Sequence, residues 1–146
     1  MNPFVQFATH SRSFLRISLI LALAGLCGFA SGQEIKVTLS GAEEIPPVQT
    51  PATGVGRISV APDRTLTGSV TVSGMAVSVA HIHEARAGTT GPIIVPLTKT
   101  ADNVWSIPPE AKLTEAQLES YKAGNLYFNM HSATHKTGEI RGQIRP

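Results

Sequence analysis

The sequence is short of the features that mark most enzymes, nucleic-acid binders and membrane proteins. Its 146 residues include one cysteine, Cys27, which sits at the end of an N-terminal apolar stretch. Downstream of it there is no thiol for a disulfide, for a zinc finger or for nucleophilic catalysis. Charge excess is nearly absent too, with Lys+Arg 12 against Asp+Glu 10. Two of the basic residues, Arg12 and Arg16, belong to the N-terminal stretch, and beyond it the signs balance. A balanced chain lacks the electrostatic footprint of a nucleic-acid binder. No apolar run reaches the roughly 20 residues needed to span a bilayer. No serine stands in a Gly-x-Ser-x-Gly elbow. Gly54-Val55-Gly56 lacks the further glycine and the helix of a phosphate loop. The few carboxylates form no pair spaced for glycoside chemistry.

What is present begins with a leader. Arg12 and Arg16 precede the apolar run Ile17 to Ala24, and Gly28-Phe29-Ala30-Ser31-Gly32 closes it with mostly small residues. A basic start, a short apolar centre and a small-residue exit predict a cleavable signal peptide. Cleavage is expected after Ala30 or Gly32, making 1–32 the signal peptide and 33–146 one folded domain, exported to the periplasm or the extracellular space. Leu26 before Cys27 is too large for lipoprotein processing, so Cys27 leaves with the signal. No membrane attachment is expected after that cleavage.

Period-two alternation dominates the rest. Ile35, Val37 and Leu39 alternate with polar residues, and strand-like runs follow at 55–60, 66–72, 77–83, 93–95, 126–131 and 139–144. Pro46-Pro47, Pro62-Asp63, the Gly88 to Pro92 stretch and Pro108-Pro109 separate them. Short alternating strands between turn signals predict an all-β, antiparallel sandwich or barrel. One short helix is expected near 114–123: Thr114 is a good N-cap, Gly124 a natural C′ stop, and Leu118 and Tyr121 would pin it to the strands.

The four histidines of the domain fall in two tight groups, His81 with His83 and His131 with His135. Side chains two apart on a strand share a face, so His81 and His83 present two imidazoles together. Imidazole suits copper, zinc and nickel. His131, at the end of its own strand, is the expected third ligand, and His135 in the following turn is a candidate fourth. Met130 alternates away from His131. Glu84 and Glu139 are candidate carboxylate partners, and Asn129, Glu139 and Arg141 would line a polar pocket behind the rings. Against the metal reading stands the ordinary one, in which buried histidines satisfy backbone groups. In Gly138-Glu139-Ile140-Arg141-Gly142-Gln143-Ile144, alternation places Glu139 and Arg141 on one face, where a structural ion pair is the favoured expectation.

Three stretches carry a resemblance. Leu39-Ser40-Gly41-Ala42-Glu43-Glu44-Ile45-Pro46-Pro47-Val48, then Ala80-His81-Ile82-His83 with Gly91-Pro92-Ile93, then Gly124 to Ser132 with Gly138 to Ile144, resemble in order the opening, central and closing motifs of the CHRD (chordin-repeat) family. Lys136-Thr137 replaces a proline common in that family. The resemblance implies a Greek-key or immunoglobulin-like β structure, mostly single exported domains among bacterial members, and an extracellular binding role by analogy with chordin. The His-x-His strand is also similar to the copper-ligand strand of Cu/Zn superoxide dismutase. That enzyme's disulfide and its zinc loop are missing, so dismutase activity is not expected. Two functions are expected on these grounds. One is a non-enzymatic exported binding module with a copper or zinc site on His81, His83 and His131. The other is a metal-free protein-interaction or structural module of the cell envelope, with a protein partner of unknown identity.

Overall fold

The period-two runs become strands. The computed structural model describes residues 32–146, so the expected signal peptide falls, but for its last residue, outside the described residues. In chain order the described strands are β1 (Ile35–Ser40), β2 (Thr53–Val60), β3 (Leu66–Ser73), β4 (Val77–Glu84), β5 (Ile93–Pro96), β6 (Thr98–Ala101), β7 (Val104–Ser106), β8 (Leu126–Ser132) and β9 (Ile140–Ile144). One α-helix, α1 (Glu115–Lys122), lies between β7 and β8. Two of these strands, β6 and β7, were not expected. The four residues of β6 are all exposed, and Asp102-Asn103 turns the chain straight back into β7, with Asn103 at φ 62.

All nine strands form one sheet in the order β5-β4-β8-β9-β1-β2-β3-β7-β6, and every pairing is antiparallel. Its two ends, β5 and β6, are consecutive in the chain and separated by Leu97 alone. The sheet therefore curls until its edges meet, which makes a nearly closed barrel. Inward alternation fills it: Val37, Leu39, Ile58, Val70, Ile82, Phe128, Met130 and Ile140 are buried. Each such side chain contributes about 1.5–3 kcal/mol by leaving water. Phe128 takes the space that a side chain on β2 would need, since a Cβ on Gly56 would stand 2.9 Å from its ring.

The helix closes beside the barrel as expected. Thr114 Oγ1 accepts from Gln117 N at 3.2 Å and Gln117 Oε1 accepts from Thr114 N at 2.9 Å, a reciprocal cap. Gly124 follows at φ 72. Tyr121 is buried and Leu118 packs against the core.

Strand β8 differs from the others, because all seven of its residues are buried. Leu126, Phe128 and Met130 face the barrel interior. Tyr127, Asn129 and His131 face outward, where two loops cover them. Gly91 N donates to Tyr127 Oη at 3.2 Å, Arg141 Nη1 donates to Thr89 O at 2.8 Å, and Gln143 Nε2 donates to Ala85 O at 2.9 Å. These bonds lay the 85–92 segment over the outer face. The loop after β1 brings Glu44 to Asn129. A polar layer thus sits between the sheet and its loops.

Candidate metal centre

Register decides which polar side chains meet. On β4, His81 lies opposite Asn129 of β8, His83 opposite Tyr127, and Val79 opposite His131. Directly paired residues share a face, so the outward side of these two strands carries three imidazoles. Their ligand nitrogens all lie within 4.8 Å of one another. Ring centroids are 5.1 Å apart for His81–His131, 5.6 Å for His81–His83 and 6.2 Å for His83–His131.

Backbone carbonyls fix two of the rings. His83 Nδ1 stands 2.9 Å from Gly91 O, and His131 Nδ1 stands 3.0 Å from Lys136 O. A carbonyl only accepts, so each Nδ1 carries the proton and each Nε2 is left with its lone pair. His131 Nε2 accepts from His81 Nδ1 at 3.2 Å. His83 Nε2 is buried and has no hydrogen-bond partner. A buried unpaired acceptor carries a desolvation cost of about 1–3 kcal/mol.

A stacked column runs from His83 across the neighbouring strands. The rings of His83 and Tyr127 stack, and the Arg141 guanidinium lies 3.6 Å from the centre of the Tyr127 ring. Burial is the main reason all three histidines are held below the ordinary 6.5. Neighbouring imidazoles add to this for His81, and His131 and Arg141 add to it for His83, against the Gly91 hydrogen bond. The rings are therefore neutral near pH 7, the form that binds metals.

The remaining expected residues are placed elsewhere. His135 lies outside the group of converging nitrogens; its backbone N donates to Ser132 Oγ, and its ring acts electrostatically on Glu44 and Glu139. Glu84 accepts from Ser120, and Glu139 accepts from Thr50 Oγ1 at 2.7 Å. Asn129 Nδ2 donates to Glu44 Oε1 at 2.7 Å in a buried pair. Burial raises the Glu44 carboxyl, opposed by that hydrogen bond and by Arg141.

The expected Glu139–Arg141 ion pair does not form. Arg141 spends its donors on Thr89 O and Gln143 Oε1 and its flat face on Tyr127. Glu139 precedes β9 and turns toward Thr50. Alternation places both on one face, but the loops decide what each one meets.

Sequence reasoning gave no role to Tyr127, Glu44 or the Gly91 and Lys136 carbonyls. Tyr127 could have been found, since parity places it on the His131 face. Carbonyl oxygens carry no side-chain signal.

The family model described as CHRD domain matches residues 35–144 of this chain. No curated protein and no solved structure matches it.

Proposed function

The chain belongs to the CHRD domain family, and from that premise we propose that it is an exported, non-enzymatic binding module that holds one copper or zinc ion on His81, His83 and His131. One observation carries the reading: His83, whose Nε2 is buried without a partner, belongs to the group of three histidines whose ligand nitrogens lie within 4.8 Å of one another. In a tetrahedral set with metal–nitrogen bonds near 2.0–2.1 Å, donor atoms stand about 3.3 Å apart. The 3.2 Å between His81 Nδ1 and His131 Nε2 already has this spacing. Gly91 O and Lys136 O support the reading as well, because metal-binding histidines characteristically donate their other N–H to an acceptor that fixes the ring. Coordination through His81 Nδ1 requires its proton to move to Nε2. An all-imidazole donor set with no carboxylate in the group favours Cu(II) over Zn(II) by the ordinary affinity order. Export rests on the N-terminal leader, with its basic start and short apolar run.

The deciding experiment is calorimetric titration of tag-free protein with Cu(II) and Zn(II), repeated on His81→Ala. One ion per chain at sub-micromolar affinity, lost in the variant while its circular dichroism is kept, is the expected result. Binding no tighter than that of a surface histidine overturns the reading.

A second reading, a protein-interaction module with no metal, draws on Val79 and Ile93. They are 46% and 52% exposed, and both are strand neighbours of the histidines. It predicts that His81→Ala and His83→Ala unfold or loosen the domain and that the wild-type protein takes up no metal.

A further inference from the structure

Three imidazoles do not complete a coordination shell. Zinc sites take four ligands, and a set of three protein ligands leaves a position for a water or another small ligand. Among the described residues, His81, His83 and His131 are the group of His, Cys, Asp and Glu side chains whose ligand atoms converge. His135 lies outside that group, and the nearby carboxylates are engaged elsewhere: Glu84 with Ser120, Glu139 with Thr50, and Glu44 with Asn129.

The strand neighbours of the rings are groups that cannot coordinate. Val79 pairs with His131 and Ile93 with His83, and both are largely exposed and offer no donor side chain. His81 itself is half-buried. Any fourth ligand therefore arrives from solution.

Charge selects its type. The three donors are neutral, so a bound dication keeps its full charge. Arg141, stacked on the Tyr127 ring that in turn stacks on His83, adds a fixed positive charge close to the site. The carboxylate that faces Arg141 is Glu44, whose Oε1 accepts from Asn129. A cation in a partly desolvated site, with no anionic donor, draws an anion into its open position.

Resting on the metal reading above, we infer that the ion on His81, His83 and His131 keeps an exchangeable position that takes a small oxyanion, a carboxylate or a phosphate, from solution. The domain is then a metal-dependent anion receptor, and the ion is more than a structural staple. Free anions and oxyanion groups on larger molecules share this chemistry.

The test uses copper-loaded, tag-free protein and azide as the reporter anion. Azide bound to Cu(II) gives a near-ultraviolet charge-transfer band and alters the electron paramagnetic resonance spectrum. The expected result is a saturable band at one azide per copper, reversed by excess acetate or by phosphate. Reversal by acetate alone identifies a carboxylate site, and reversal by phosphate alone a phosphate site. A one-to-one copper complex whose spectra ignore azide overturns the inference and leaves the three-imidazole ion standing. Azide binding that neither oxyanion reverses also overturns it. Failure of the protein to bind copper, seen by calorimetry before any azide is added, overturns both readings.

Discussion

The rings of His83 and Tyr127 stack with centroids 4.9 Å apart and planes 14° from parallel. The same two residues grip Gly91 from its two sides, Tyr127 Oη accepting from Gly91 N and His83 Nδ1 donating to Gly91 O. The loop that orients the histidine is thus itself held by the histidine's stacking partner. Tyr127→Phe keeps the stack and removes the hydroxyl. Stability is expected to fall by about 1 kcal/mol, read from urea unfolding. Copper affinity is expected to fall about tenfold, at the low end for a lost ligand-orienting contact, read by calorimetry. Unchanged affinity would show that the Gly91 carbonyl holds His83 without help from Tyr127.

The burial that keeps the imidazoles neutral also makes the fold sensitive to acid. Each of the three rings is held below its ordinary 6.5 in the folded chain. As pH falls through about 6.5, the unfolded chain takes up protons that the folded chain refuses, so stability falls with pH. Glu44 works in the opposite direction, because burial raises its carboxyl above 4.5. The metal-free protein is expected to unfold at lower urea at about pH 5.5 than at about pH 7.5. A His83→Gln, His131→Gln double variant should show a smaller pH difference than the wild type, which isolates the imidazole contribution. Equal pH dependence in both proteins would assign the effect to other groups.

Gly138 lies at φ 133, a region that side chains rarely adopt, and packs on the Glu44–Asn129 pair. An added Cβ would stand 2.5 Å from Glu44 Oε1 and 2.6 Å from Asn129 Oδ1. Gly138→Ala must therefore strain the backbone and part a buried hydrogen bond together. A loss of about 2–4 kcal/mol is expected, from a strained backbone position plus a disturbed buried polar pair. Chemical denaturation measures it. A loss below about 0.5 kcal/mol, typical of a surface substitution, would mean that the loop after β1 relaxes away.

Phe128 and Gly56 share one volume inside the barrel. Phe128→Leu leaves a void, and Gly56→Ala crowds the ring; each alone is expected to cost about 1–3 kcal/mol. Combined, they should cost less than the sum of the two, because the added methyl occupies space the smaller side chain vacates. Strict additivity in thermal melts would show that the two sites do not touch in solution.

Much of the barrel was legible because its inner face obeys period two: Val37 and Leu39, Ala80 and Ile82, and Phe128 and Met130 alternate and are buried. The helix was legible because both of its ends are written in local chemistry, at Thr114 and Gly124. Strand β6 was not, since Thr98-Lys99-Thr100-Ala101 is exposed throughout and pairs without apolar alternation. Parity alone put His81 and His83 on one face. That His131 joins them depends on the β4–β8 register, a long-range property no local pattern encodes. The contacts of Arg141 were misread for a related reason. Its partners are a loop carbonyl and a neighbouring ring, and their positions follow from how the 85–92 segment folds back.

The joining of β5 to β6 through Leu97 bears on how the chain behaves in a crowded compartment. A sheet that ends in long, flat strands offers a template on which further copies can stack as fibrils. Here both terminal strands belong to one nine-residue stretch, 93–101, and each is only four residues long. One carries Pro96 and the other Lys99, residues that blunt such growth by withholding an amide and by adding charge. Amyloid-type accretion has little to seed on, which suits a domain that has no disulfide to lock it shut.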